Sequence, residues 1–209
     1  MEDIRCEYKR RKDKIRKRIR EFEALGKSSD EDIFSELCFC ILTPQSNAFK
    51  CHRAVGELQK SGLLLGGSAK KIRRKLVGVR FHNNKARYLV EARRLFKNCN
   101  GIDIKNKIKG EDASIIREWL VKNVKGLGYK EASHFLRNIG YGKDLAILDR
   151  HILKNLKRYG VIKEIPKTLT KNTYMAIENK IRRFSKKIKI SLEDMDLLFW
   201  ARETGIIFK

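Results

Sequence analysis

Chemistry in this chain concentrates in one lysine, one aspartate and the two glycines that precede the lysine. Residues 124–140 read Val-Lys-Gly-Leu-Gly-Tyr-Lys-Glu-Ala-Ser-His-Phe-Leu-Arg-Asn-Ile-Gly. Gly126 and Gly128 have no side chains, so a second backbone or a phosphate can come close to the amides of this turn. Ala132, Phe135, Leu136 and Ile139 follow the i, i+3, i+4, i+7 spacing of a buried helical face. At about 100° per residue, Lys130 falls almost opposite that face, in the first part of the helix. An amine at this place has two readings, a solvated member of a basic face or a nucleophile. The second is helped by the positive end of the helix, and by His134 and Arg137, which the same periodicity puts on the side of Lys130. Such neighbours disfavour an ammonium and make a neutral, nucleophilic amine more available.

Asp149 follows the apolar run Leu145-Ala146-Ile147-Leu148 and precedes Arg150-His151-Ile152-Leu153. Directly before an amphipathic helix it reads as an N-cap. A carboxylate anchored by apolar neighbours, downstream of a lysine on a hairpin helix, also reads as an acid/base partner. The residues alone leave both readings open.

The elements that must position this pair read as helices. Residues 2–25 carry Ile4, Tyr8, Ile15, Ile19 and Phe22 at helical intervals amid a basic run, a long helix with a narrow apolar stripe. Ser28-x-x-Glu31 has capping-box spacing ahead of the apolar helix from Ile33 to Leu42, which Pro44 closes. Thr43 to Asn47 is a polar turn whose Ser46 and Asn47 could cap the next helix or reach into a duplex. Residues 62–67 read as a loop, 69–76 as a short basic helix and 98–110 as irregular. Phe81, just before another helix, is either a hydrophobic staple or a platform for a base. Residues from about 112 to 140 form a helix, a glycine hairpin and a second helix, whose amides can hold phosphate oxygens without reading sequence. Ser191-x-x-Asp194 reads as the capping box of a last helix, on whose margin Asp196 and Trp200 stand one turn apart. No β-alternation stands out, and the fold class expected is all-α.

Composition limits the partners. Lys and Arg number 49 against 25 Asp and Glu, giving a net charge of +24, so the surface field is positive over wide areas and nucleic acid is the leading partner. Charge alone would also suit an anionic membrane surface or serve solubility, but no apolar run is long enough to span a bilayer. Cys6, Cys38, Cys40, Cys51 and Cys99 contain no Cys-x-x-Cys pair, and the four histidines lack ligand spacing. No metal and no cofactor is expected; a reducing, intracellular, cytoplasmic location near the nucleoid is.

At Val124–Ala132 and Leu145–Leu153 the chain resembles the helix-hairpin-helix DNA glycosylase superfamily, where a Gly-x-Gly-x-Lys hairpin precedes a catalytic aspartate. It is most similar to the archaeal-type 8-oxoguanine DNA glycosylases, through Gly128–Asn138, Glu36–Thr43 and the C-terminal lysine. The resemblance spans most of the chain and is weakest before Leu25. The four-cysteine iron–sulfur loop of many superfamily members is missing, since no cysteine follows Cys99.

The resemblance implies two helical lobes with the active site in the cleft between them, lobe A being 1–60 plus 165–209 and lobe B 61–164. It implies a bifunctional glycosylase/lyase acting on 8-oxoguanine in double-stranded DNA as a monomer. Lys130 would attack the sugar C1′, helped by Asp149, and β-elimination from the resulting Schiff base would nick the strand. Phe81, Trp200, Asp196 and Lys209 would face the extruded base, and core packing stays an equal reading for Trp200. Lys125, Gly126 and Gly128 would hold the DNA backbone, and Gln45 or Asn47 would fill the gap the base leaves. Two alternatives remain: a non-catalytic helix-hairpin-helix binding module, and a glycosylase/lyase for another oxidised base.

Overall fold

A computed structural model describes residues 2–209. The first helix, α1 (Glu2–Gly26), buries Ile4, Ile15, Ile19 and Phe22, the narrow stripe expected from its spacing. Next, α2 (Asp30–Leu42) is buried at every position from Ile33 to Leu42. Its cap lies one residue beyond the expected box: Ser29 Oγ accepts from Asp32 N and donates to the Asp32 carboxylate at 2.6 Å. Ser29 and Asp32 repeat the spacing of Ser28 and Glu31, and Ser29 has the extended backbone an N-cap needs.

The chain continues through α3 (Ala48–Lys60), α4 (Leu63–Gly66), α5 (Ala69–Lys75) and α6 (His82–Phe96). Residues 62–67, expected as a loop, thus contain one helical turn, which sinks Leu64 into the core. The irregular segment 98–110 holds a two-residue antiparallel pairing and another helical turn. Strand β1 (Lys97–Asn98) meets β2 (Gly101–Ile102) with Lys97 opposite Ile102, and α7 (Lys105–Ile108) follows. The remaining elements are α8 (Ala113–Asn123), α9 (Tyr129–Asn138), α10 (Arg150–Arg158), α11 (Lys171–Ile188) and α12 (Leu192–Thr204). With twelve helices and one tiny sheet among the described residues, the fold is all-α.

Two compact units divide the chain, at boundaries other than 60/61 and 164/165. The first unit joins the segment ending at Gly26 to Leu136–Lys209; the second is Lys27–Phe135, and the later division falls inside α9. Pairing of apolar faces is the reason. In the second unit α2 packs on α3 and α6, and α5 on α6. In the first, α12 collects α1, α10 and α11. The α1–α12 contact is reinforced at Asp194, wholly buried, whose Oδ2 accepts from Tyr8 Oη at 2.7 Å and from the Arg16 guanidinium at 2.6 Å. Ser191 caps α12 as its spacing foretold, but the Asp194 carboxylate serves α1.

Candidate active-site residues

Helix α8 ends at Asn123 and α9 starts at Tyr129, so the glycine hairpin is the five residues between them. Gly126 has φ of +89°, a left-handed backbone, and a Cβ there would stand 2.7 Å from the Tyr88 ring. Its smallness therefore serves the turn and the packing of α6 as much as any ligand. Gly128 N donates to Glu131 Oε2 at 3.2 Å, an arrangement of capping-box type in which Glu131 reaches back over the first turn of α9. That amide is accordingly already engaged. The amides of Lys125 and Gly126 have no protein acceptor among the described residues, and Lys125 itself is exposed, its Nζ 3.1 Å from Glu91 Oε2.

Lys130 lies in the first turn of α9 with its side chain 24% exposed, and its Nζ is 3.6 Å from Glu131 Oε1. Only Glu131, also partly exposed, follows it before the helix disappears into protein, every residue from Ala132 to Ile139 being buried. The expected basic face of Lys130, His134 and Arg137 does not exist for that reason. His134 packs edge-on against Phe39, ring centres 5.7 Å apart. Arg137 pairs with Asp196 at 3.2 Å and lies over the Phe22 ring. A helical wheel assigns each residue a side, but a helix buried all round beyond its first turn has no solvent side to assign there.

Asp149 is the N-cap of α10, its Oδ1 accepting from His151 N and Ile152 N, both at 2.8 Å. The cap reading is therefore realised, and it leaves Oδ2 with no hydrogen-bond donor among the described residues. The extended run before it is pinned by two residues one turn apart on α11. Glu178 Oε2 accepts from Ala146 N at 2.8 Å; Tyr174 Oη donates to Ala146 O at 2.6 Å and accepts from Leu148 N at 3.3 Å. These bonds replace the sheet partner that an isolated extended segment lacks, so the carboxylate is held by its own helix and by α11.

Trp200, on α12, meets the His151 ring edge-to-face with centres 5.0 Å apart, and its buried indole Nε1 has no hydrogen-bond partner among the described residues. The backbone near Lys209 is tied to α1, Arg18 Nε donating to Phe208 O at 2.6 Å. Asp196 is partly neutralised by Arg137. In the second unit, Asn47 Oδ1 caps α3 by accepting from Lys50 N at 3.1 Å, so its side chain is committed to the helix. Gln45 is exposed with φ of +54°, and Phe81, which precedes α6 without a side-chain cap, is 53% exposed with φ of +57°. Arg80 lies against the Phe81 ring at 5.4 Å.

Four further residues support these segments: Glu131, Tyr174, Glu178 and Lys85. Glu131 carried a signal, the Gly-x-x-Glu spacing of a box with glycine at the cap. The other three bond to segments remote in sequence, which no local pattern records. Among the described residues no group of three His, Cys, Asp or Glu side chains could hold a metal ion, and no helix is long and apolar enough to cross a membrane.

A lysine on a hairpin helix and a helix-capping aspartate, each on a rigid element of an all-α chain, describe the helix-hairpin-helix DNA glycosylase class. The profile of one of its families, Ogg-HhH, 8-oxoguanine DNA glycosylase, matches residues 15–190, and the chain belongs to that family. It is 46% identical over 204 residues to an 8-oxoguanine DNA glycosylase/AP lyase of Fusobacterium nucleatum, covering 97% of this chain and 94% of the relative. Among solved structures, it superposes with a TM-score of 0.88 on the Methanocaldococcus jannaschii 8-oxoguanine glycosylase/lyase in complex with 15mer DNA containing 8-oxoguanine, at 40% identity and over 100% of both chains. The 8-oxoguanine DNA glycosylase of Thermotoga maritima gives a TM-score of 0.88 at 37% identity, over 100% of this chain and 97% of that one.

Proposed function

We propose that the chain excises 8-oxoguanine from duplex DNA and then nicks the strand, with Lys130 as nucleophile and Asp149 as its acid/base and electrostatic partner. The observation that carries this reading is the place of Lys130: a partly exposed amine in the first turn of a helix that is buried from Ala132 onward, beside hairpin amides free to hold a phosphate.

The damaged nucleotide leaves the stack at a cost of a few kcal/mol. The Lys130 lone pair then forms a bond to C1′ as the bond from C1′ to the base breaks and the base departs with its electron pair. The Asp149 carboxylate stabilises positive charge growing on the sugar and accepts a proton from the attacking amine. Ring opening leaves a Schiff base; loss of a C2′ proton expels the 3′ phosphate and cuts the strand. Lys125 and the free amides of the hairpin steady the backbone. Phe81, Trp200 and Lys209 face the base, Asp196 acts through Arg137, and Gln45 occupies the gap in preference to Asn47, whose side chain caps α3. Relatives named as glycosylase/AP lyase support both halves of the reaction, and a monomer acting on double-stranded DNA suffices for it.

Borohydride reduction during turnover on an 8-oxoguanine duplex should trap a covalent protein–DNA adduct, absent with Lys130→Gln. An undiminished adduct with that variant would remove Lys130 from the reaction. Duplexes carrying thymine glycol, uracil or an abasic site, run in parallel, separate this reading from a different lesion and from a non-catalytic binding module.

A further inference from the structure

Lys85 takes no part in the chemistry above, yet it is the one lysine buried among the described residues, at 4% exposure. Its Nζ donates to Leu42 O at 2.7 Å, to Pro44 O at 2.7 Å and to Ser46 Oγ at 3.0 Å, so each ammonium hydrogen has an acceptor. Ser46 Oγ also accepts from Arg80 N at 3.0 Å. One buried charge on α6 thereby ties the end of α2 to the 43–47 turn, and Ser46 extends the tie to the residues preceding α6.

This tie coincides with backbone strain. Only Gln45, Phe81 and Lys189 combine a side chain with left-handed φ among the described residues, and the first two flank the tied atoms. Gln45 lies between Pro44 and Ser46; Phe81 follows Arg80. Such conformations cost roughly 1–3 kcal/mol each and persist where the surroundings over-determine them. Here they display the two exposed side chains that the proposed function sets against the duplex. The same region adjoins the nucleophile's helix: Cys51 Sγ is 3.2 Å from Leu42 O, and its thiol, pushed up by burial to about 11, feels the charges of both Lys85 and Lys130.

We propose that Lys85 is a positioning residue that holds the 43–47 turn and residues 80–81 as one preset surface, presenting Gln45 and Phe81 to DNA, and that it promotes base extrusion without taking part in bond cleavage. The proposal rests on the reading of Gln45 and Phe81 as duplex-engaging residues. A lysine that merely capped α2 would affect folding and every substrate alike.

The test uses the full chain with two substrates: an 8-oxoguanine duplex with 2-aminopurine next to the lesion, whose fluorescence reports extrusion, and a single-stranded oligonucleotide with an abasic site, which needs none. Lys85→Met should lower extrusion and single-turnover base release by about tenfold or more, as a misplaced positioning group does, while nicking of the single strand stays at the wild-type rate. Ser46→Ala, which removes one acceptor and strands no charge, should shift extrusion the same way by a smaller factor and carries the test alone if Lys85→Met fails to fold. Equal losses on both substrates, or wild-type extrusion, overturn the proposal. The double variant Gln45→Ala/Phe81→Ala monitors the underlying reading: if it extrudes the base normally, that reading fails; if it is defective while Ser46→Ala and Lys85→Met are normal, only the role of Lys85 fails.

Discussion

The two oxygens of Asp149 divide its work. Oδ1 closes the start of α10, and Oδ2, with no hydrogen-bond donor among the described residues, is the oxygen to which the proposed function gives the reaction. Asparagine keeps the capping oxygen and removes the charge, so Asp149→Asn should hold thermal stability within about 1 kcal/mol of wild type while single-turnover base release falls at least ~100-fold. Asp149→Ala should add a loss of about 0.5–2 kcal/mol from the missing cap, seen in the melting temperature. A slow, destabilised asparagine variant would show that the cap, not the charge, explains the loss. The positions of Lys130 and Asp149 were legible because each sits at punctuation, Lys130 after a glycine pair and Asp149 at the switch from apolar run to helix. Their supports were less so. Lys85 bonds to carbonyls some forty positions away, and a lysine's letter does not say whether it meets water or carbonyl oxygens. His134 and Arg137 were misplaced because charge at a helical position normally implies solvent, whereas here an ion pair and an aromatic edge make burial tolerable.

At the scale of elements, the hairpin precedes Lys130 and the extended run precedes Asp149, and each makes a separable prediction. Gly126→Ala puts a methyl group against the Tyr88 ring on a left-handed backbone, and should cost about 1–3 kcal/mol of stability and weaken binding to any duplex. Denaturant unfolding and binding to undamaged DNA measure the two effects; a stable variant with unchanged binding would mean that the turn's shape is not what holds the phosphate. Tyr174→Phe removes the hydroxyl that serves both Ala146 and Leu148, leaving buried backbone groups unpaired at about 1–3 kcal/mol. It should slow base release on bound duplex with little change in duplex affinity, since the hairpin is untouched. Helix periodicity made nearly all of the longer helices legible, from α1 to α12. Unit boundaries were not, because they follow from which apolar faces meet: the ten buried positions of α2 are visible in the sequence, but their choice of α3 and α6 as partners is not.

For the whole molecule, the net charge of +24 makes non-specific affinity an electrostatic quantity. Affinity for undamaged duplex should fall by about 10³ or more between 50 and 200 mM salt if six or more phosphates are neutralised. A nearly flat dependence, read by anisotropy titration, would mean that most of this charge faces away from DNA. Alkali should destabilise the fold. Burial raises the Cys38 and Cys51 thiols above their ordinary value of 9.0 and the Tyr8 and Tyr159 phenols above 10.0. The folded chain then binds more protons at these groups than the unfolded one, so their contribution is full below those ordinary values and is lost as pH rises through the folded ones. Lys85, lowered chiefly by burial, opposes this between its folded value and 10.5, but is one group against four. The melting temperature should therefore drop between pH 8.5 and 10.5, and Cys51→Ala should flatten the descent. The discontinuous first unit also has a temporal consequence during synthesis. Lys27–Phe135 is contiguous and can close while translation continues, whereas the stripe on α1 must wait for α12. At roughly 5–20 residues per second, that interval is about ten to thirty seconds. Through it the isoleucine stripe of the basic α1 lacks the helix that covers it in the folded chain, so the first unit is completed only once α12 has been made.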